Sequence, residues 1–158
     1  MFIRVLGEEG KALAYTGTPP FTDLTAGSNA AKYVGYAYSK GYTAGITKTL
    51  FSPNRAVSAA QYTEFMLRAL DYSSSANTNL SGTLDKAAVC GVLTSGEVSM
   101  LKSGAFLRAQ LVYISYYTLD ATYSGSSDTL RERLISRGVF TSAESSSAVA
   151  LVKTARLS

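Results

Sequence analysis

The residues of this chain that could do chemistry are mainly arginines and tyrosines, and the usual catalytic groups are scarce. The 158 residues include no histidine and a single cysteine, Cys90. Without histidine there is no imidazole for acid–base catalysis, for a Ser-His-Asp triad or for a histidine-based zinc site. One cysteine cannot form an internal disulfide, and no pair among the 11 carboxylates has a spacing typical of a catalytic site. The composition therefore favours a non-catalytic protein without a cofactor.

Binding of an anionic partner is the chemistry that the charged residues favour. The formal net charge is +4 and the sequence pI is about 9.2, and a basic chain attracts anions. Arg108 lies in the predicted first turn of a helix, where a cation is unfavourable to the helix dipole, so it is a candidate for carboxylate binding. The alternative is an ordinary surface arginine. Arg68 and the loop residue Lys48 are further candidates, although Arg68 could simply cover apolar surface with its stem.

Tyrosines supply the candidate contacts to neutral ligands. Tyr33 falls on the apolar stripe of a predicted helix and is expected in the core. Tyr36 falls off that stripe and is the candidate for an exposed ring that stacks on a sugar. Two other residues are considered as candidates. Cys90 is expected to be a small buried residue of the core. Asp23 is expected to be a turn or cap residue that accepts hydrogen bonds from local amides.

Two helices are clearly marked in the first half of the chain. Residues 28–40 carry apolar side chains at 3/4 spacing, with Ser28 as a possible N-cap and Gly41 where a left-handed residue ends a helix. Ser58 and Gln61 form a capping box, and an apolar stripe follows it to residue 70. Residues 71–79, which are rich in Ser and Asn, are predicted to form a loop.

The same pattern returns about 50 residues later. Residues 84–90 form a predicted helix that leads into Gly91, a loop carries Gly96 and Gly104, and residues 107–119 repeat the apolar stripe. Residues 1–6 align with the end of such a second helix. The sequence therefore predicts an all-α fold built from helix–loop–helix repeats of about 50 residues.

The predicted organisation has four parts. Residues 1–9 are the end of a truncated repeat, residues 20–72 a full repeat, residues 78–120 a divergent repeat, and residues 127–158 a helical extension. Within the extension, residues 128–137 are a predicted short helix ending at Gly138. Residues 148–155 are predicted to form a weak helix, with a disordered exit linker as the alternative.

The repeat resembles the S-layer homology module. The resemblance rests on four stretches within residues 21–70: Phe21-Thr22-Asp23-Leu24, the helix end from Ser39 to Gly45, Phe51-Ser52-Pro53, and the Ser58 helix closing on Leu67-Arg68-Ala69-Leu70. It implies that three modules form a pseudo-threefold helical bundle. It also implies an extracellular protein held on the cell envelope of a Gram-positive bacterium by its secondary cell-wall polysaccharide, in which a pyruvylated sugar often contacts a motif arginine.

The chain departs from the family motif at the residues that would bind. Ala59 stands where the family has its arginine and Gln61 where it has a glutamate, whereas Arg108 keeps the arginine position in the divergent repeat. The resemblance implies a cell-wall attachment module with Arg108, and with Arg68, Lys48 and Tyr36 as further glycan contacts. The alternative is a structural surface-layer or filament module that self-assembles and no longer binds glycan. The lost arginine and the truncated first repeat, whose helix end would need a neighbour to cover it, favour that alternative.

Other partners are disfavoured. The basic residues are scattered, and the loops between paired helices run to about 16 residues, whereas a DNA-reading helix-turn-helix has a turn of 3–4 residues. No apolar run approaches the roughly 20 residues of a membrane span. The apolar run at the start of the chain is too short for a signal peptide. We therefore expect no nucleic acid partner and no membrane span.

Overall fold

The computed structural model of the chain describes residues 1–74, 76–77 and 79–158. Over these residues the protein has nine helices and no strand, which confirms the all-α prediction. None of the helices in the described ranges has the length and apolarity needed to cross a membrane. The chain divides into two compact units, Met1–Ser81 (unit 1) and Gly82–Ser158 (unit 2). The helices are α1 Phe2–Val5, α2 Glu9–Leu13, α3 Asn29–Ser39, α4 Ala59–Ala69, α5 Thr83–Val89, α6 Ser95–Lys102, α7 Arg108–Thr118, α8 Leu130–Ser136 and α9 Ser142–Leu151.

The two principal helices of unit 1 begin and end where local signals in the sequence place them. The Ser28 hydroxyl accepts from the amide of Ala31 at 3.1 Å and starts α3. Gly41, with φ of 72°, follows the end of that helix. At the start of α4, the Ser58 hydroxyl accepts from the Gln61 amide and the Gln61 side chain accepts from the Ser58 amide, at 3.2 and 2.9 Å. Both predicted helices are confirmed.

The start of the chain is packed inside unit 1. The ring of Phe2 lies 5.5 Å from that of Tyr42, 6.3 Å from that of Tyr62 and 5.7 Å from that of Phe65. These aromatic contacts bury the N-terminal helix against α4 and the end of α3. The expectation that this helix end needs a neighbouring chain to cover it is therefore wrong.

Helix α2 has no counterpart in the sequence prediction. It has only five residues and includes Gly10, so it offers no periodic pattern to detect. Its Ala12 is fully buried and joins Ile3 and Tyr36 in one core cluster. In the predicted loop 71–79, Ser75 and Thr78 lie outside the described residues, and the rest is not helical.

In unit 2 the predicted helices α5, α7 and α8 are present, but the predicted loop around Gly96 is wrong because α6 occupies it. A capping box starts α6: the Thr94 hydroxyl accepts from the Glu97 amide at 3.1 Å, and the Glu97 carboxylate accepts from the Thr94 amide at 2.9 Å. The same device at Thr141 and Glu144 starts α9 six residues before the predicted helix. In α6 the capping box outweighs Gly96, and in α9 it outweighs a run of serines and small apolar residues.

Cys90 is only partly buried, which corrects the expectation of a buried residue. It is the C-cap residue of α5, beyond the last full turn of the helix.

Candidate functional site

Unit 1 contains a pocket of about 380 Å³ between the loop 43–57 and α4. Its lining includes the aromatic rings of Phe51 and Phe65 and the polar side chains of Arg55 and Gln61. Leu80 contributes a further apolar wall. A concave site with apolar walls and a few polar groups is typical of small-molecule and sugar binding.

Asp23 fixes the part of the loop that carries Phe51. Its carboxylate accepts from the amide of Phe51 at 3.0 Å and from the amide of Ser52 at 2.6 Å. These hydrogen bonds, first that of Phe51, hold the pKa of Asp23 below its usual value, because they favour the charged form. Asp23 was expected to accept from neighbouring amides, but its partners lie 28 and 29 residues later in the chain. It is therefore a residue that positions the loop of the pocket.

Gly45 forms a tight turn at the other end of the loop. Its φ is 77°, a left-handed conformation in which residues with a Cβ are strained. A Cβ at this position would meet the ring of Phe21 and would lie 2.8 Å from the carbonyl oxygens of both Thr47 and Leu50. Only glycine fits this turn, which places Gly45 in the pocket wall.

A buried ion pair forms the floor of the pocket. Glu64 and Arg68 both line it, yet their side chains are only 2% and 6% exposed, and Arg68 Nε lies 3.3 Å from Glu64 Oε1. The hydroxyl of Ser73 donates to the same oxygen at 2.6 Å, and the Asn77 amide donates to it at 3.1 Å. Arg68 in turn donates to the main-chain oxygens of Tyr42 and Asn77, at 3.1 and 2.6 Å. The charge of Glu64 is thus compensated inside the protein.

One comparison with known proteins found a match to part of the chain. Residues 20–63 match the family model of the S-layer homology domain, a segment that covers the Asp23 turn, α3, the pocket loop and the first part of α4. Over these residues the chain is similar to an S-layer homology domain. No curated protein and no solved structure gave a significant match to the chain.

The similarity indicates a general role for the matched segment. S-layer homology domains are non-catalytic modules that bind cell-wall components and attach proteins to the cell surface. Most of the pocket loop, including Gly45, Phe51 and Arg55, lies inside the matched segment.

Two of the four predicted glycan contacts, Tyr36 and Arg68, are poorly placed to contact a glycan. Tyr36 is only 5% exposed and packs in the core with Ile3 and Ala12, whereas Tyr33 is half-buried and its hydroxyl donates to Glu9. Tyr36 is buried because α2, which the sequence did not reveal, covers this face of α3. Tyr33 packs, partly buried, against the same core cluster.

Arg68 is the second correction. Its guanidinium lies at the pocket floor, but it is held by the Glu64 carboxylate and by two main-chain oxygens. An arginine with these partners and a side chain only 6% exposed supports the walls of the pocket and is poorly placed to reach a ligand.

The other two predicted contacts are exposed and lie apart in the chain. Lys48 is on the surface of the pocket loop but does not line the pocket. Arg108 is exposed at the first residue of α7 in unit 2, where the Leu107 amide donates to the Gln110 side chain at 2.8 Å. The pocket therefore gathers neither of them.

Arg55 is the cation of the pocket, and sequence reasoning missed it. Its side chain is exposed, lines the pocket and pairs with none of the carboxylates that the structure describes. The amide of Arg55 donates to the oxygen of Ser52 at 3.0 Å, which closes the turn that holds it there. A single arginine in a loop belongs to no periodic pattern. The motif Phe51-Ser52-Pro53 just before it marks the loop but does not identify Arg55 as a binding residue.

Acid titration tests the positioning role of Asp23. Its pKa in the folded state lies below the ordinary aspartate value of 3.8. The carboxylate therefore stabilises the fold fully above that value and progressively less as pH falls through the lowered pKa. We expect Asp23→Asn to lower the melting temperature at pH 7, and we expect the difference from wild type to shrink below about pH 4.

The measurement is thermal unfolding followed by circular dichroism, at a series of pH values between 2 and 7. Subtracting the Asp23→Asn curve from the wild-type curve removes the titration of the other carboxylates. A difference that stays constant over this range would contradict the role of the Asp23 charge.

Proposed function

We propose that the S-layer homology domain holds this protein on the cell surface by binding an anionic wall polysaccharide in the pocket between the loop 43–57 and α4. The observation that carries the proposal is the exposed guanidinium of Arg55, which pairs with none of the described carboxylates and lines an apolar pocket whose loop lies inside the matched segment. The family motif arginine is replaced by Ala59, so Arg55 takes over the role of anion contact. Attachment of this kind places the protein outside the cell, on the envelope of a Gram-positive bacterium.

The chemistry of the lining suits a sugar. A pyranose ring has apolar C–H faces, which the aromatic rings of Phe51 and Phe65 can pack against, and hydroxyl groups, which the Gln61 amide can bind. A carboxylate on the sugar, such as that of a pyruvyl ketal, fits the planar fork of Arg55. Because Arg68 neutralises Glu64, the floor of the pocket does not repel this anion.

Further cations can bind the same polymer beyond the pocket. A polysaccharide repeats its acidic group along the chain, so separate surface cations can each contact one repeat and add to the overall avidity. Arg108 and Lys48 are the exposed candidates for these contacts. Their effect is expected to be smaller than that of Arg55, because neither lies in the pocket.

Replacement of Arg55 by alanine is expected to weaken binding about tenfold, which corresponds to loss of one charge-assisted hydrogen-bonding group. The measurement is co-sedimentation of the purified chain with wall sacculi, as a titration that gives the affinity. Sacculi stripped of polysaccharide by hydrofluoric acid should no longer bind the wild-type chain.

Lys11→Ala is the matched control, because Lys11 is an exposed cation of unit 1 on α2, outside the pocket. It removes the same charge and should leave the affinity within about twofold of wild type. Equal losses for the two variants would mean that only net charge matters. Unchanged binding by Arg55→Ala, or binding that survives stripping, would contradict the proposal.

A further inference from the structure

The last 17 residues of unit 2 form an arm that adds nothing to the apolar core. This C-terminal arm consists of α9 and the irregular segment that follows it, residues 142–158. The buried hydrophobic residues of the described chain end at Leu134. In α9 the buried residue is Ser145, whose hydroxyl accepts from the Arg131 guanidinium at 3.0 Å. Polar contacts therefore hold the arm, and it can leave its place without opening the core.

The end of the arm lies in a groove beside α6 and α7, and its main chain is bound at three points. The Tyr117 hydroxyl donates to the carbonyl of Thr154 at 2.5 Å, and the Tyr113 hydroxyl accepts from the amide of Leu157 at 2.6 Å. The Thr94 hydroxyl donates to the carbonyl of Leu157, also at 2.6 Å. Main-chain hydrogen bonds of this kind bind an extended segment largely without regard to its side chains.

Gly96 makes room for the arm. A Cβ on Gly96, which lies in the first turn of α6, would collide with the carbonyl of Ser158. Glycine is unfavourable inside a helix, and the close approach of the arm explains its presence here.

One side chain gives the groove its specificity. Arg156 donates from Nε and Nη2 to the two carboxylate oxygens of Glu97, at 2.9 and 3.0 Å, and from Nη2 to the oxygen of Val92 at 3.0 Å. Glu97 is fully buried, and Arg156 is its one salt-bridge partner among the residues described. An empty groove would leave this carboxylate without its cation, which disfavours the empty groove. The groove therefore needs an extended segment with an arginine in this register.

We propose that the groove of one copy of this chain binds the C-terminal arm of a second copy, so that two copies exchange arms. An arm supplied by another molecule makes every contact that the chain's own arm makes, and domain swapping of this kind is a low-cost route to a dimer. The inference concerns unit 2 alone and does not depend on glycan binding by unit 1.

Charge-reversal variants distinguish an arm that binds the groove of another copy from an arm that stays in the groove of its own chain. In Glu97→Arg the groove repels its own Arg156, and in Arg156→Glu the arm is repelled by its own Glu97. When the two variants are mixed, each arm meets a groove of opposite charge only in the other variant. We expect the equimolar mixture to form a species of about twice 16.7 kDa by light scattering coupled to gel filtration, while each variant alone remains at the monomer mass.

A mixture of Glu97→Arg with Lys153→Glu is the matched control, since Lys153 is an exposed cation of the same arm. At equal concentration this mixture should contain no more dimer than wild type alone, whereas the charge-reversal mixture should contain more. A charge-reversal mixture that stays monomeric, with both variants helical by circular dichroism, would overturn the proposal.

Wild type provides a second measurement that does not depend on the folding of any variant. Its average mass is expected to rise as the concentration increases from about 10 μM to about 1 mM, where a second copy begins to compete with the tethered arm. A mass that stays at 16.7 kDa over this range would also overturn the proposal.

Discussion

Replacing Arg68 by methionine is expected to lower the free energy of unfolding of unit 1 by about 3–5 kcal/mol. The substitution leaves the carboxylate of Glu64, which is 1% exposed, without its cation in the interior of the protein. It also removes the donors to the main-chain oxygens of Tyr42 and Asn77. Urea unfolding monitored by circular dichroism measures the change.

The control for this prediction removes both charges. Glu64→Leu combined with Arg68→Met replaces the buried ion pair by apolar side chains of similar size, so much of the lost stability should return. If Arg68→Met instead left stability unchanged and abolished binding to wall sacculi, Arg68 would be a ligand contact after all. The double variant therefore distinguishes a structural arginine from a binding one.

Helix boundaries were predictable wherever the side chain of a capping residue was recognised. The box at Ser58 predicted α4 to within a residue. The identical device at Thr94 was overlooked because Gly96 and Gly104 favoured a loop, and the one at Thr141 was overlooked because the residues after it are serines and small apolar residues without periodicity. In both helices the cap satisfies amides at the helix start, which outweighs weak intrinsic propensity.

The candidate site was less predictable than the helices, because burial depends on tertiary neighbours. Tyr36 lies off the apolar stripe of α3, yet it is buried because the short helix α2 packs on that face. Arg68 has the spacing of a helix-surface residue, but the loop after α4 folds over it and supplies Asn77. Nothing in the local pattern around Arg68 encodes the loop that covers it.

Arg55 illustrates the opposite case, a functional candidate without any local pattern. It lines the pocket because Asp23 holds the amides of Phe51 and Ser52 and so fixes the path of the chain before it. Only this long-range contact brings the arginine beside the aromatic wall. The resemblance indicated the segment of the chain that contains the pocket loop. Arg55 itself could be identified only from the three-dimensional structure.

Gly45→Ala is expected to destabilise unit 1 by about 3 kcal/mol, from two separable causes. The left-handed φ of 77° strains any residue that has a Cβ, and the new methyl group would collide with the Phe21 ring and with the carbonyls of Thr47 and Leu50. Since Gly45 is in the pocket wall, binding to wall sacculi should fall as well. Thermal and urea unfolding measure the first effect, and co-sedimentation measures the second.

Gly27→Ala is the matched control, because Gly27 has a similar φ of 73° but nothing within 4 Å of an added Cβ. It should lose only the backbone contribution, about 1 kcal/mol. The difference between the two variants then isolates the steric cost of crowding the pocket turn. Equal destabilisation by both would mean that the turn at Gly45 can move away from Phe21, and the pocket wall would then be an adaptable loop, not a preformed one.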